Sequence, residues 1–187
     1  MPGITEHMFD GDTVMLGETA GRVILSEGHM DGHIAFLFDD ILFSGDSLFA
    51  GGCGYLFDGP PKKMHDALAR FAQLPHETRV CCAHEYTQDN LTFAWSLEPG
   101  NTSLEQRFKE VWSIRARGGA TVPSTIGIEL ATNPFMRTDS PELRQALKKA
   151  MPETDFESSA SIFAATRALK DAKHYKSGLP VPLPVPS

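Results

Sequence analysis

The chain has 187 residues, 41% hydrophobic and 22% charged, and a formal net charge of −7. This composition is ordinary for one medium or two small globular domains. The negative charge, which no basic stripe offsets, excludes a duplex nucleic-acid binder. No apolar run approaches the ~18 residues of a membrane helix, and no basic-then-apolar leader opens the chain. Three cysteines without Cys-x-x-Cys spacing predict free thiols in a reducing compartment, so we expect a cytoplasmic protein.

The first 87 residues have the pattern of a β-rich unit. Five short apolar or β-branched runs predict strands: 13–16, 22–26, 34–38, 41–44 and 79–83. The first two flank a Gly-rich connection and predict a hairpin. The next two are apolar almost throughout, which is typical of strands covered on both faces. Helical spacing predicts one helix over 62–71.

After Thr87 the pattern becomes helical. Apolar spacing, caps and prolines predict helices over 88–97, 104–115, 126–131, 141–150 and 158–174. Residues 121–125 are predicted to be extended, because Pro123 restricts the residue before it. From Leu179 onward Pro alternates with Val or Leu, which predicts an extended, mobile tail. We therefore divide the chain into units 1–87, 88–178 and 179–187.

Three segments at predicted strand ends contribute polar side chains. Asp46 follows the apolar run 41–44, His84 follows the run 79–83, and His29 lies in Gly28-His29-Met30-Asp31-Gly32-His33. Carboxylates at such positions face clefts rather than cores. Two imidazoles and one carboxylate form a ligand set suited to zinc or iron.

Several motifs occur in an order that we recognise, among them Phe43-Ser44-Gly45-Asp46-Ser47-Leu48-Phe49, Gly52-Cys53-Gly54, His84-Glu85-Tyr86-Thr87, Asn133-Pro134-Phe135 and Arg167-x-x-Lys170-Asp171. Together they resemble glyoxalase II, the hydroxyacylglutathione hydrolase family of the metallo-β-lactamase superfamily. The resemblance extends to about Tyr175. It implies an α+β fold: the second half of a metallo-β-lactamase αββα sandwich over 1–87, then an all-helical, glutathione-binding C-terminal domain over 88–178.

The resemblance also implies an activity and a metal centre. The activity is metal-dependent hydrolysis of the S-lactoylglutathione thiolester to D-lactate and glutathione, a step of methylglyoxal detoxification. Two metal ions, zinc or else iron or manganese, would polarise the carbonyl and supply a nucleophile at neutral pH. His29 would bind the first ion, Asp46 would bridge both ions, and His84 would bind the second.

For the glutathione thiolester, the resemblance implies a separate set of contacts. Tyr86 would contact glutathione, and Arg167 and Lys170 would hold its carboxylates from one helix face. Tyr55 stands where a basic residue is common in the family, and Phe57 stands where some members have tyrosine. We expect Tyr55 to contribute less to affinity than a cation would.

The chain departs from the family pattern in one large respect. A Thr-His-x-His-x-Asp-His segment, which supplies most metal ligands, is expected before residue 1 and is absent from this sequence. Each ion would have two protein ligands, whereas a stable zinc site has three or four. We therefore expect weak metal binding and little hydrolysis. Without its partner sheet, the β-rich unit would expose an apolar face that favours a homo-oligomer or a complementing chain.

Two other functions are compatible with parts of the sequence. The chain could bind glutathione or its thiolesters without turnover. Alternatively, Gly45-Asp46-Ser47-Leu48 and Asp171-x-x-His174 match short motifs of GDSL serine esterases, in which Ser47 would attack and His174 would be its base. The oxyanion-hole asparagine of that class is not found. His33, the second histidine of its segment, is expected to support the metal centre rather than bind metal.

Overall fold

The computed structural model describes residues 4–185, and the ends of the predicted units at 1–3 and 186–187 lie outside the described residues. The strands are β1 Thr13–Leu16, β2 Thr19–Leu25, β3 Ile34–Phe38, β4 Ile41–Gly45, β5 Leu48–Phe49, β6 Gly52–Cys53, β7 Arg79–Cys82 and β8 Ser124–Thr125. The helices are α1 Pro61–Phe71, α2 Thr87–Leu97, α3 Thr102–Ala116, α4 Ile126–Thr132, α5 Pro141–Ala150 and α6 Ser159–Ala172, followed by a 3₁₀ turn, His174–Lys176. The predicted α+β class is confirmed.

Six strands form one sheet in the order β1-β2-β3-β4-β7-β8, and β5 pairs with β6 separately. The predicted hairpin is β1–β2, and antiparallel pairing continues through β4. β4 and β7 are parallel, with Gly45 opposite Cys82. Because parallel strands end at the same edge of a sheet, the loops after β4 and β7 meet there.

One hydrophobic core joins the two predicted halves. It contains Leu42 and Val80 from the sheet together with Phe93, Phe135 and Phe163 from the helical part, all of them 2% exposed or less. The division into two domains at residue 87 remains a prediction. In the structure, residues from before and after this position bury apolar surface in the same core.

The second half is helical except at β8. Ser124–Thr125 pairs with β7, with Thr125 opposite Arg79, so it extends the sheet. Two residues are too few for a period-2 pattern, which is why the sequence indicates only extended backbone there. α4 begins directly afterwards, capped by the Thr125 side chain.

The sheet face opposite the core carries a row of apolar side chains. Val23 pairs with Phe36, Phe36 with Phe43, and Phe43 with Cys81. Phe43 is 41% exposed, and Phe36 and Cys81 are partly exposed. Association through this face remains a prediction.

Residues 179–185 form neither helix nor strand, as expected of the tail. The indole Nε1 of Trp95 donates a hydrogen bond to the Pro182 carbonyl at 3.0 Å. Leu179 and Leu183 pack against two apolar clusters. These contacts attach the tail to the helical half, and its mobility remains a prediction. Within residues 4–185, no helix has the length and apolarity needed to span a membrane.

Candidate metal centre and adjoining cleft

Asp46 lies in a tight turn directly after β4. Gly45 adopts a left-handed φ of 54°, and a β-carbon there would lie 2.8 Å from Cε1 of His33. Ser47 N donates to Ser44 O at 3.1 Å, and Ser44 Oγ donates to Leu48 O at 2.7 Å. These hydrogen bonds fix the turn, and the Asp46 carboxylate projects beyond the edge of the sheet.

Two imidazoles face this carboxylate from different segments. Nε2 of His29 lies 3.9 Å from Oδ2 of Asp46, and Nε2 of His84 lies 3.4 Å from Oδ1. Nδ1 of His29 donates to the Tyr55 carbonyl at 2.8 Å, which leaves the Nε2 lone pair of a neutral ring directed at Asp46. The ring of His84 stacks on the ring of Tyr86, with centroids 5.1 Å apart.

These donors fit metal ions in two pairs that share Asp46. Ligands about 2.0–2.2 Å from one tetrahedral ion lie about 3.3–3.6 Å apart, close to the separations found here. Each carboxylate oxygen faces a different imidazole. Among residues 4–185, no group of three or more His, Cys, Asp or Glu side chains surrounds a single point. An ion bound between Asp46 and either imidazole would therefore have two ligands from these three side chains.

His33 forms hydrogen bonds with the backbone of Asp46 and with neighbouring serines. Its Nε2 accepts a hydrogen bond from the Asp46 amide at 3.4 Å, while Nδ1 lies 2.9 Å from Ser26 Oγ and 3.1 Å from Ser47 Oγ. Burial lowers the pKa of His33, and the nearby His29 lowers it further. A neutral His33 can accept the Asp46 amide bond and donate from Nδ1.

The serine esterase alternative finds no support in this geometry. Ser47 is fully buried and donates to Ser26 O at 2.8 Å, and the histidine beside it is His33. His174 is exposed in the 3₁₀ turn. A buried hydroxyl committed to a backbone acceptor is not placed to attack a substrate.

A cleft of about 390 Å³ adjoins the centre, lined by Phe49, Cys53, Tyr55, Tyr86, Asp89, Asn90, Arg167, Lys170 and Lys176. Phe49 connects the two, because its ring lies 6.1 Å from that of His84 and 5.3 Å from that of Tyr86. Tyr55 and Tyr86 are 53% and 51% exposed. All four residues predicted to contact substrate thus line one cleft.

Arg167 reaches the cleft from a buried position. Its Nη2 donates to Asp171 Oδ1 at 2.5 Å and its Nη1 to Cys53 O at 3.3 Å. Its Nε is buried and has no hydrogen-bond partner among residues 4–185. The thiol of Cys53, beside this guanidinium, is also buried, and burial raises its pKa to about 11. The guanidinium is therefore largely engaged within the protein.

Lys170 is engaged in the same way. Its Nζ donates to Asp89 Oδ2 at 3.0 Å and to Asn90 Oδ1 at 2.9 Å. Burial lowers the pKa of Lys170 to about 8 against the attraction of Asp89. Burial raises the pKa of Asp89, but Lys176, Lys170 and Tyr175 outweigh it and lower the value to about 2.

Sequence reasoning missed Asp89, Asn90 and Lys176 as cleft residues. Asp89 and Asn90 follow Tyr86 by three and four positions, the spacing that keeps side chains on one side of a helix, and this signal could have found them. Lys176 lies just beyond the motifs that carry the resemblance.

The fold is that of the metallo-β-lactamase superfamily. Residues 2–84 match the family model "Metallo-beta-lactamase superfamily". The crystal structure of ETHE1 from Myxococcus xanthus superposes with a TM-score of 0.53 at 24% identity, over 92% of this chain and 63% of that one. This likeness supports the fold alone. Membership of the superfamily implies a metal-binding site.

Residues 85–173 match "Hydroxyacylglutathione hydrolase C-terminus". Proteins named hydroxyacylglutathione hydrolase are 50% identical in Gloeobacter violaceus and 47% in Methylococcus capsulatus, each over 91% of this chain and 66% of the relative. One from Pseudomonas putida is 45% identical over 91% of this chain and 67% of its own length. The chain belongs to the hydroxyacylglutathione hydrolase family. It spans about two thirds of the length of the curated relatives it matches.

Proposed function

We propose that this chain carries the shared metal ligand and the glutathione cleft of a thiolester hydrolase that converts S-lactoylglutathione to D-lactate and glutathione. The observation that carries the proposal is the position of Asp46, between two imidazoles and beside a cleft lined by cations. The names of the relatives support the same activity.

In this proposal His29 and Asp46 would hold one ion, and Asp46 and His84 would hold the other. Zinc suits nitrogen and carboxylate donors, and iron and manganese are the other candidates. Bound ions of this kind polarise a carbonyl and make a water-derived nucleophile available at neutral pH. The chain's own contribution is orientation: the Tyr55 carbonyl fixes the ring of His29, and His33 holds the Asp46 amide.

The cleft suits the glutathione part of the substrate. Glutathione carries two carboxylates, and Arg167 and Lys170 supply positive charge along one wall. Tyr55 and Tyr86 place aromatic rings and hydroxyls at its exposed side. Hydrolysis breaks the carbon–sulfur bond, adds the water oxygen to the acyl carbon, and leaves the sulfur as the glutathione thiol.

Two further parts of the proposal concern location and assembly. We propose a cytoplasmic location, which the three free cysteines support. We also propose that a second copy of the chain covers the row formed by Phe36, Phe43 and Cys81, because this face is apolar and partly exposed. A monomer in analytical ultracentrifugation at micromolar concentration would contradict the second statement.

Isothermal titration calorimetry and a hydrolysis assay test the activity together. Glutathione and S-lactoylglutathione are each titrated with and without zinc, and thiolester loss is followed before and after a chelator. We expect both ligands to bind and slow, chelator-sensitive hydrolysis to require zinc. Binding without turnover would favour a glutathione-thiolester binding module. Binding of neither ligand would contradict the proposal.

A further inference from the structure

The cations of the cleft differ in how far they are available to a ligand. The side chains of Arg167 and Lys170 are 8% and 9% exposed, and each already contacts a carboxylate of the protein. The side chain of Lys176 is 52% exposed. Among the residues that the structure describes, its Nζ has a single ion-pair partner, Asp89 Oδ1 at 2.7 Å. Lys176 is therefore the most exposed of the three cations that line this cleft.

The position of Lys176 is set by a local anchor. The backbone turns at Lys173, which has a left-handed φ of 60°, into the 3₁₀ turn His174–Lys176. Tyr175 is buried, and its hydroxyl donates to Asp89 Oδ2 at 2.9 Å. Lys176 bonds the other oxygen of the same carboxylate. This two-point attachment to α2 keeps an otherwise exposed lysine at the rim of the cleft.

Lys176 also decides the net charge of the cleft. The lining residues and their direct ion-pair partners include three cations (Arg167, Lys170 and Lys176) and two carboxylates (Asp89 and Asp171). Without Lys176 this set is neutral. With it, the cleft keeps one positive charge in a chain whose net charge is −7. An acidic ligand would otherwise meet a protein that repels it.

We infer that Lys176 is a specificity-determining residue whose ammonium group, held on Asp89, contacts a carboxylate of the glutathione moiety. The inference rests on the proposed function, because it takes a glutathione thiolester as the ligand. Arg167 and Lys170 then shape and charge the wall, while Lys176 makes the direct contact. The single carboxylate of Asp89 positions both lysines.

The test compares K176Q, K176R and the control K149Q, in which an exposed lysine of α5 is changed in the same way. Calorimetry at low salt measures binding of glutathione and of two amides of it, one at the glycine carboxylate and one at the γ-glutamyl α-carboxylate. We expect K176Q to weaken glutathione binding about three- to fivefold, as for an exposed ion pair, and the difference to shrink at high salt. K176R and K149Q should stay within about twofold of wild type.

The two amides distinguish direct from indirect action. For one of them the difference between wild type and K176Q should disappear, because the carboxylate that Lys176 contacts is gone. Wild-type affinity in K176Q, or an equal difference for both amides, would overturn the inference and leave the proposed function standing. A wild-type chain that binds no glutathione would overturn both.

Discussion

The backbone of Gly54 lies directly against the carbonyl group of Asp46, and a β-carbon at position 54 would overlap that oxygen. The same β-carbon would lie 3.1 Å from Nδ1 of His29. Gly54→Ala must therefore displace the backbone of Asp46 and crowd the ring of His29. We expect a loss of about 1–3 kcal/mol in the free energy of unfolding, as for other overpacked sites, and weaker zinc binding. Chemical denaturation and a zinc competition titration measure the two effects.

Gly178→Ala is the matched control, because a β-carbon there has no neighbour within 4 Å among residues 4–185 and the glycine does not adopt a left-handed φ. It should leave both quantities unchanged. If Gly54→Ala bound zinc as wild type does, the close contact would not be needed to place Asp46.

Zinc content tests the ligand pairs themselves. Because each ion would have only two protein ligands, we expect the purified, washed chain to retain well below one zinc per molecule. Asp46→Asn should abolish the remaining uptake, since it removes the ligand shared by both pairs, whereas Asp155→Asn on the exposed surface should not. Atomic absorption provides the measurement. Near-stoichiometric zinc in the wild type would show that the described donors are supplemented by others.

The sequence predicts where donors lie better than how they are oriented. Asp46 and His84 could be placed because each follows an apolar run, and the parallel pairing of β4 with β7 then brings them to one edge. The orientation of His29 could not be predicted, since it depends on the carbonyl of Tyr55, 26 residues away, and a backbone acceptor leaves no sequence signal.

For the cleft, too, the sequence predicts which residues are present better than how they are placed. The spacing of Arg167 and Lys170 correctly indicated one helix face, but their burial and their carboxylate partners depend on tertiary contacts. A motif therefore indicates that a cation is present and not whether a ligand can reach it. The ligand and substrate roles of all these residues remain predictions.

Binding of S-methylglutathione should weaken as the pH rises through about 8. The pKa of Lys170 is lowered to about 8 by burial, so its charge is present below that pH and is lost above it. Asp89, Arg167, Cys53, Tyr175 and Lys176 face or adjoin this ammonium group. Once Lys170 is neutral, Asp89 neutralises Lys176 and the cleft loses its positive charge.

The control for this profile is Lys170→Gln, in which any remaining pH dependence belongs to the ligand or to other groups. Calorimetry between pH 6.5 and 9.5 should show an inflection near 8 in the wild type that is missing from the variant. Identical profiles would mean that Lys170 does not control the charge of the cleft.

Glu129 connects the helical half to the loop that follows Asp46. It is 1% exposed and accepts hydrogen bonds from Gly51 N at 2.8 Å, Ser124 Oγ at 2.5 Å and Asn133 Nδ2 at 2.8 Å. All three partners are donors, so Glu129→Gln would direct an amide NH₂ at one of them. We expect a loss of about 1–3 kcal/mol, the cost of a buried donor left unpaired.

The pH dependence of this effect has a definite sign. Burial raises the folded-state pKa of Glu129 above its ordinary 4.5, so its contribution is fully present below pH 4.5 and decreases as the pH rises through the folded value. The stability of wild type relative to Glu129→Gln should therefore be highest at and below pH 4.5 and should fall as the pH rises above it. Urea denaturation at several pH values measures it, with exposed Glu77→Gln as the control. An advantage that grows with pH would contradict the assignment.

The hydrogen bond between Trp95 and the Pro182 carbonyl provides a test of the predicted mobility of the tail. Trp95→Phe keeps an aromatic ring but removes the N–H that bonds the Pro182 carbonyl, so it should cost about 0.5–1.5 kcal/mol. Trp112→Phe is the matched control, because Trp112 stacks on Phe108 at 3.7 Å between ring centroids and, within residues 4–185, forms no hydrogen bond with the tail. The amides of Val181, Leu183 and Val185 report motion between the prolines by ¹⁵N relaxation. We expect their order parameters to fall below about 0.6 in Trp95→Phe and to stay higher in wild type and in Trp112→Phe. Equally low values in all three proteins would show that the tail moves freely and that the contact with Trp95 does not hold it in solution.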